Sequence, residues 1–174
     1  MTPPTRLTRR ELAWVRRAHA AAKRTRLARA AAAISWLGNG ALYLPLAGLV
    51  LALAGRTGLR TVALAALSGL VSHVVYPVIK RTAARPRPFA HRADLADAPP
   101  PLDAFSFPSG HLMTLSATLT PALVRWPRLW LAALGLWLLL AWSRIATAHH
   151  YPSDLLGGTL LGVAVALAVV GIAG

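Results

Sequence analysis

Charge is absent from residues 30–54, 112–124, 129–143 and 155–173, and 59–79 carries only Arg60 near its start and His73 inside. A bilayer core takes about 20 apolar residues per helix. The first, second and fifth of these stretches meet that length directly. The third and fourth meet it as helices over 109–124 and 128–148. The stretches are rich in Ala and Leu and show no period of two, which excludes a closed barrel and leaves helices as the way to satisfy the backbone in lipid. The pattern therefore predicts an all-α, polytopic transmembrane helix bundle of about five spanning helices. Glycines such as Gly38, Gly48, Gly69, Gly158 and Gly162 mark places where those helices can approach closely.

The remaining pattern divides the chain into residues 1–29 and a transmembrane domain over 30–174. Nine of the 19 basic residues precede residue 30, from Arg6 to Arg29, and most fall on one arc of a helix, with Trp14, Val15, Ala18 and Ala22 opposite. A basic amphipathic helix lying on the membrane surface, with anionic lipid headgroups as its partner, accounts for that pattern. Docking to another protein is the second reading, and the clustering argues against nucleic acid despite a net charge of +14. The charges recur too often for a span, and the apolar stretch that follows is too long for a cleaved signal peptide. Residues 89–107, with Asp94, Asp97, Asp103 and prolines 99–101, read as a flexible loop whose acids are too scattered for a metal site. No cysteine is present, which removes disulfides, thiolate metal sites and cysteine nucleophiles together.

Three short segments at the ends of the expected helices carry the chemistry. Lys80 is followed after six residues by Arg87 and Pro88; then comes Pro108-Ser109-Gly110-His111; then Ser143-Arg144, five residues, His150, three residues and Asp154. Each has a plain structural reading. Lys80 and Arg87 could anchor a helix end at the interface, Ser109 could be an ordinary N-cap, Arg144 could snorkel, and Asp154 could cap the fifth span. His111 in a first turn is harder to explain structurally, because a cation is unfavourable there. Taken together, three cations, two histidines, a carboxylate and a hydroxyl at a helix start suit a site that holds a phosphate and attacks it. With five spans, all three segments share one side of the membrane.

These segments closely resemble the motifs KxxxxxxRP, PSGH and SRxxxxxHxxxD of the type-2 phosphatidic acid phosphatase superfamily, the lipid phosphate phosphatases. Every defining position matches, from about Leu59 to the C-terminus, whereas the extra first span typical of the family is replaced by the basic segment. The resemblance implies that His150 is the nucleophile, that Asp154 orients it, and that His111 protonates the leaving oxygen and later activates water. It implies that Lys80, Arg87, Arg144, Ser109 and the Gly110 backbone hold the phosphoryl oxygens, and that neither a metal nor another cofactor is required. The motif spacing selects His150 over His149 and Arg87 over Arg85, and His73 either lines the headgroup pocket or is a hydrogen-bonded interior residue.

The expectation is a metal-independent membrane phosphatase acting on a lipid phosphate. Rivals are a lipid phosphotransferase, a soluble haloperoxidase of the same superfamily, and a non-catalytic membrane scaffold or lipid-binding protein. Candidate substrates are phosphatidate, phosphatidylglycerophosphate, a polyprenyl diphosphate and a polyprenyl-linked sugar phosphate. The short length and the Ala- and Arg-rich composition are similar to those of bacterial phosphatases acting on decaprenyl-phosphate-linked phosphoribose. The expected location is the plasma (inner) membrane, with the active site facing the cytoplasm. The N-terminal bases share the site's side, whereas only Arg56, Arg60, Arg125 and Arg128 fall opposite.

Overall fold

The computed structural model describes residues 6–95, 100, 101 and 103–173; Asp97 and Pro99 of the expected loop lie outside them. Among the described residues six α-helices follow in order: α1 Arg6–Arg24, α2 Ala28–Leu37, α3 Tyr43–Ala83, α4 Gly110–Arg125, α5 Trp130–Ala146 and α6 Pro152–Ala173. No strand occurs among the described residues. Among the described residues three stretches are helical, long and apolar enough to cross a membrane, built on α3, α5 and α6. Leu44, Leu53, Leu70, Leu131 and Leu160 are among the many large apolar side chains left outside the bundle. That apolar exterior is the surface a bilayer covers.

The first apolar stretch does not form one helix. Gly38, Asn39 and Gly40 interrupt it, and Gly40 takes φ 140°, which a side chain would resist. The stretch is thus shared between α2 and the first arm of α3. A second break follows at Gly55, with φ 54° and ψ −133°. There the chain doubles back, so that a Cβ on Gly58 would meet the Val50 carbonyl oxygen at 2.9 Å. The second arm, 56–83, returns towards the end of the bundle where α4 and α6 begin. At the opposite end Arg60 donates to the Ala173 carbonyl at 2.9 Å.

α4 and α6 form the centre. Gly158 and Gly162 present a bare face to α4, where any Cβ would press on the Ser109 and Met113 carbonyl oxygens. Where lipid surrounds the helices, such close backbone packing contributes what the hydrophobic effect cannot. Leu112, Leu115, Leu140, Ala141 and Leu155 fill the space between α4, α5 and α6.

α1 lies against the same end as the site, and its buried face matches the apolar arc at Val15 and Ala22 but not at Trp14. Leu12, Val15 and Ala22 are buried, whereas Trp14 is 66% exposed beside an exposed Leu7. Leu12 and Val15 pack with Leu95, Ala148 and Tyr151. Tertiary contact thus selects a face rotated from the simple charge arc. The described part of the expected loop contains two short 3₁₀ turns, Pro88–His91 and Ala93–Leu95, and is pinned by the buried Leu95.

Candidate active site

α3 ends at Ala84, whose left-handed φ of 44° turns the chain out of the helix just after Lys80. Pro86 and Pro88 then bracket Arg87, which is 2% exposed. Lys80 donates from Nζ to both Asp103 carboxylate oxygens at 2.7 Å and to the Phe105 carbonyl at 2.9 Å. Arg87 donates from Nη2 to Asp103 Oδ1 at 2.7 Å and from Nη1 to the His149 carbonyl at 2.7 Å. Asp103 therefore sits between two of the three cations assigned to the phosphate. Burial alone would raise its carboxyl, but Lys80 and Arg87 hold it below its ordinary value.

α4 starts at Gly110 with Ser109 in the N-cap position. The Ser109 hydroxyl makes no capping bond there; its Oγ is buried with no hydrogen-bond partner among the described residues. A buried hydroxyl without a partner calls for an explanation, and a bound ligand supplies one. One residue into the helix, His111 donates from Nε2 to the Ser35 carbonyl at 3.1 Å. The Ser35 hydroxyl accepts from Arg144 Nη1, so α2 engages a histidine and an arginine of the site at once. Arg144 is 4% exposed and lines the cavity, which rules out simple snorkelling, and its Nε has no partner among the described residues.

His150 follows α5, 1% exposed. Its Nδ1 lies 2.7 Å from the Ser106 carbonyl oxygen and 3.7 Å from Asp154 Oδ2. A carbonyl only accepts, so Nδ1 carries the proton and Nε2 keeps its lone pair. The expected close His150–Asp154 hydrogen bond is thus replaced by a backbone one, with the carboxylate just behind. Burial, with Arg144, Arg87 and Lys80 adding to it, pushes the imidazole well below its ordinary value, keeping it neutral.

Asp154 is itself fully buried and engaged elsewhere. Oδ1 accepts from Arg85 Nη1 at 2.6 Å and Oδ2 from the Tyr151 N–H at 2.8 Å. The second bond reaches back from the third residue of α6 to the residue before Pro152, which is how a capping box closes a helix start. Asp154 therefore caps α6 and flanks His150 together. Removing one member of such a buried pair costs about 3–5 kcal/mol.

Lys80, Arg87, Gly110, His111, Arg144 and His150 line one cavity of about 650 Å³. Ser109 and Asp154 adjoin those residues without lining it. His149 lines the cavity as well; what marks His150 is Ser106 and Asp154 at its Nδ1. His73 also lines it, edge-on to Tyr76 with ring centroids 5.6 Å apart, and is exposed to that space instead of buried in the interior. Sequence reasoning missed Ser35, the Ser106 carbonyl, Glu11 and the role of Asp103. It set Arg85 aside, yet Arg85 holds Asp154 while Arg87 faces the cavity.

With this geometry in place, the chain matches the profile of the PAP2 superfamily over residues 57–173. The protein belongs to the PAP2 superfamily. Its apolar helices make it a membrane member of that superfamily. It is 43% identical over 60 residues to an Escherichia coli (strain K12) protein named "Putative undecaprenyl-diphosphatase YbjG". That match covers 33% of this chain and 30% of the relative's length. Its fold is similar to the crystal structure of a transmembrane PAP2 type phosphatidylglycerolphosphate phosphatase from Bacillus subtilis. The TM-score is 0.72 at 24% identity, over 98% of this chain and 87% of the other.

Proposed function

We propose that this membrane PAP2 protein hydrolyses a lipid phosphate through a phosphohistidine on His150. The observation that carries the reading is the Nδ1 bond to Ser106, which leaves Nε2 as a free nucleophile on a cavity shared with three cations. In the first step Nε2 attacks phosphorus, the P–N bond forms, and the bond to the lipid oxygen breaks. Beside the anionic phosphate His111 acts as the imidazolium: its Nε2–H stays on the Ser35 carbonyl, and Nδ1 gives the lipid oxygen its proton. In the second step His111 takes a proton from water, the hydroxide attacks phosphorus, and the P–N bond breaks to release phosphate and neutral His150.

Phosphoryl transfer asks mainly for positioning and for donors around the equatorial oxygens. Lys80, Arg87 and Arg144 supply these from the cavity wall, with the Ser109 hydroxyl adjoining them, so the step is expected to run without a metal. The names of the two relatives support a phosphorylated lipid as substrate, either a polyprenyl diphosphate or a glycerophospholipid phosphate. A polyprenyl-linked sugar phosphate and phosphatidate complete the set. Purified protein presented with these four lipids in excess chelator should release phosphate from at least one. His150→Ala should lose at least about 10³-fold, in the range of other nucleophile and base deletions, and His149→Ala far less. Turnover that survives in His150→Ala, or disappears in chelator alone, contradicts the reading.

A further inference from the structure

Glu11 is the only glutamate in the chain and the only acid on α1, surrounded in sequence by Arg9, Arg10, Arg16 and Arg17. On a basic surface helix a lone carboxylate belongs in water, among those arginines. Here it is 7% exposed, and its two carboxylate oxygens bond to residues outside α1. Oε2 accepts from Arg85 Nη2 at 2.7 Å, and Oε1 accepts from the Ser153 backbone N–H at 2.7 Å. The second contact satisfies an N–H at the start of α6 that has no partner within its own helix. A helix start prefers a negative charge, and this one is provided from 142 residues away.

The first contact leads to the nucleophile. Arg85 Nη1 bonds Asp154 Oδ1 at 2.6 Å and the Ser153 hydroxyl at 2.7 Å, and its guanidinium lies 4.1 Å from the centre of the Tyr151 ring. Arg85 is thus fixed on three sides, with Glu11 closing the outer one. Asp154 in turn stands 3.7 Å from His150. Charge matters as well as position. Arg85 neutralises Asp154, and His150 already faces Lys80, Arg87 and Arg144 across the cavity. Glu11 leaves the Glu11–Arg85–Asp154 group with a net negative charge beside the imidazole.

We infer that Glu11 and Arg85 are positioning residues for His150, with α1 acting as a strut that holds the Asp154 carboxylate in place. The inference rests on the reading of His150 as nucleophile, and its test separates the two. Glu11→Gln keeps an oxygen for the Ser153 N–H but removes the negative charge that faces Arg85. Turnover number, KM and melting temperature are measured in detergent for Glu11→Gln, Arg85→Lys, Asp154→Asn and the Glu11→Gln/Asp154→Asn pair. Acylation of His150 by diethyl pyrocarbonate, followed by peptide mass spectrometry, reads the imidazole's nucleophilicity without any lipid.

Glu11→Gln and Arg85→Lys should each lower kcat about tenfold with KM within about twofold, since neither touches substrate, and slow His150 acylation in parallel. In the Asp154→Asn background, Glu11→Gln should have no further effect, because residues acting as one unit are not additive. Arg16→Ala, whose partner is the exposed Asp94, should match wild type in every measurement. Full turnover and acylation in both single variants would overturn the proposal. So would an equal Glu11→Gln loss in both backgrounds, which marks a merely structural effect. If the wild type releases phosphate from no lipid, the proposed function falls, and the acylation rates alone still decide the role of Glu11.

Discussion

His150 Nδ1 has two oxygens within reach, and the carbonyl of Ser106 lies a full ångström closer than the carboxylate of Asp154. A neutral acceptor in the near position keeps the imidazole neutral, and burial among cations adds to that. The proposed attack needs Nε2 unprotonated, and protonation competes only well below the ordinary histidine range. Asp103 poses the opposite problem, because its carboxylate occupies two of the cations assigned to the phosphate in the proposed mechanism, where substrate would displace it. Asp103→Asn should therefore bind vanadate roughly tenfold more tightly, about 1.4 kcal/mol, in a calorimetric titration. The carboxyl's folded pKa lies below its ordinary value, so its stabilisation is present above the ordinary carboxylate range and lost as pH falls. Asp103→Asn should accordingly melt lower than wild type at neutral pH, with the gap closing in acid. Unchanged vanadate affinity would mean that Asp103 does not compete for the cradle. The motif residues were legible because side-chain chemistry at fixed spacing has few other uses. The Ser106 and Ser35 carbonyls were not, since any residue type supplies a carbonyl.

Among the elements, the interrupted first stretch departs most from expectation. Uniform apolarity conceals a break whose only sequence signal is Gly38-Asn39-Gly40, and that break has a use. It brings Ser35 to His111 and Arg144, and it leaves Gly38 against the active-site histidine. A Cβ at Gly38 would lie 2.9 Å from His111 Cδ2 and 2.8 Å from Leu140 Cδ1. Leucine can move aside, but the ring can do so only by leaving the Ser35 carbonyl. Gly38→Ala should therefore lower kcat about tenfold through misplacement of the acid, a common cost of small displacements in a site. The loss should be largest for poor leaving groups. Gly48→Ala, which meets nothing within 4 Å, serves as the control and should change little. Equal rates in the two variants would separate the break from catalysis. α1 carries a similar lesson: its basic character was legible, but its buried face was set by Leu95, Ala148 and Tyr151, which lie far along the chain.

At the scale of the whole molecule, the two ends of the bundle differ in charge. α1, with most of the N-terminal bases, packs at the end holding His150, whereas Arg60 marks the other end beside Ala173. Excess Lys and Arg in short flanking segments faces the cytoplasm. We therefore expect the active site to open to the cytoplasm, with the exposed Trp14 and Leu7 of α1 resting in the membrane surface. The chain has no cysteine, so single cysteines report sidedness directly. Ala90→Cys, near the site, should resist a membrane-impermeant maleimide in intact cells, and Thr57→Cys, at the opposite end, should react. The reverse pattern would place the site outside.

The covalent step tests the central claim most directly. Lipid substrate labelled in the phosphoryl group is mixed with protein, quenched in alkali within milliseconds, digested and analysed by mass spectrometry. The account predicts an alkali-stable phosphoryl group on His150, formed in wild type, prolonged in His111→Ala and absent from His150→Ala. Phosphate release with no label on His150 at any time, or with the label on His149, contradicts it.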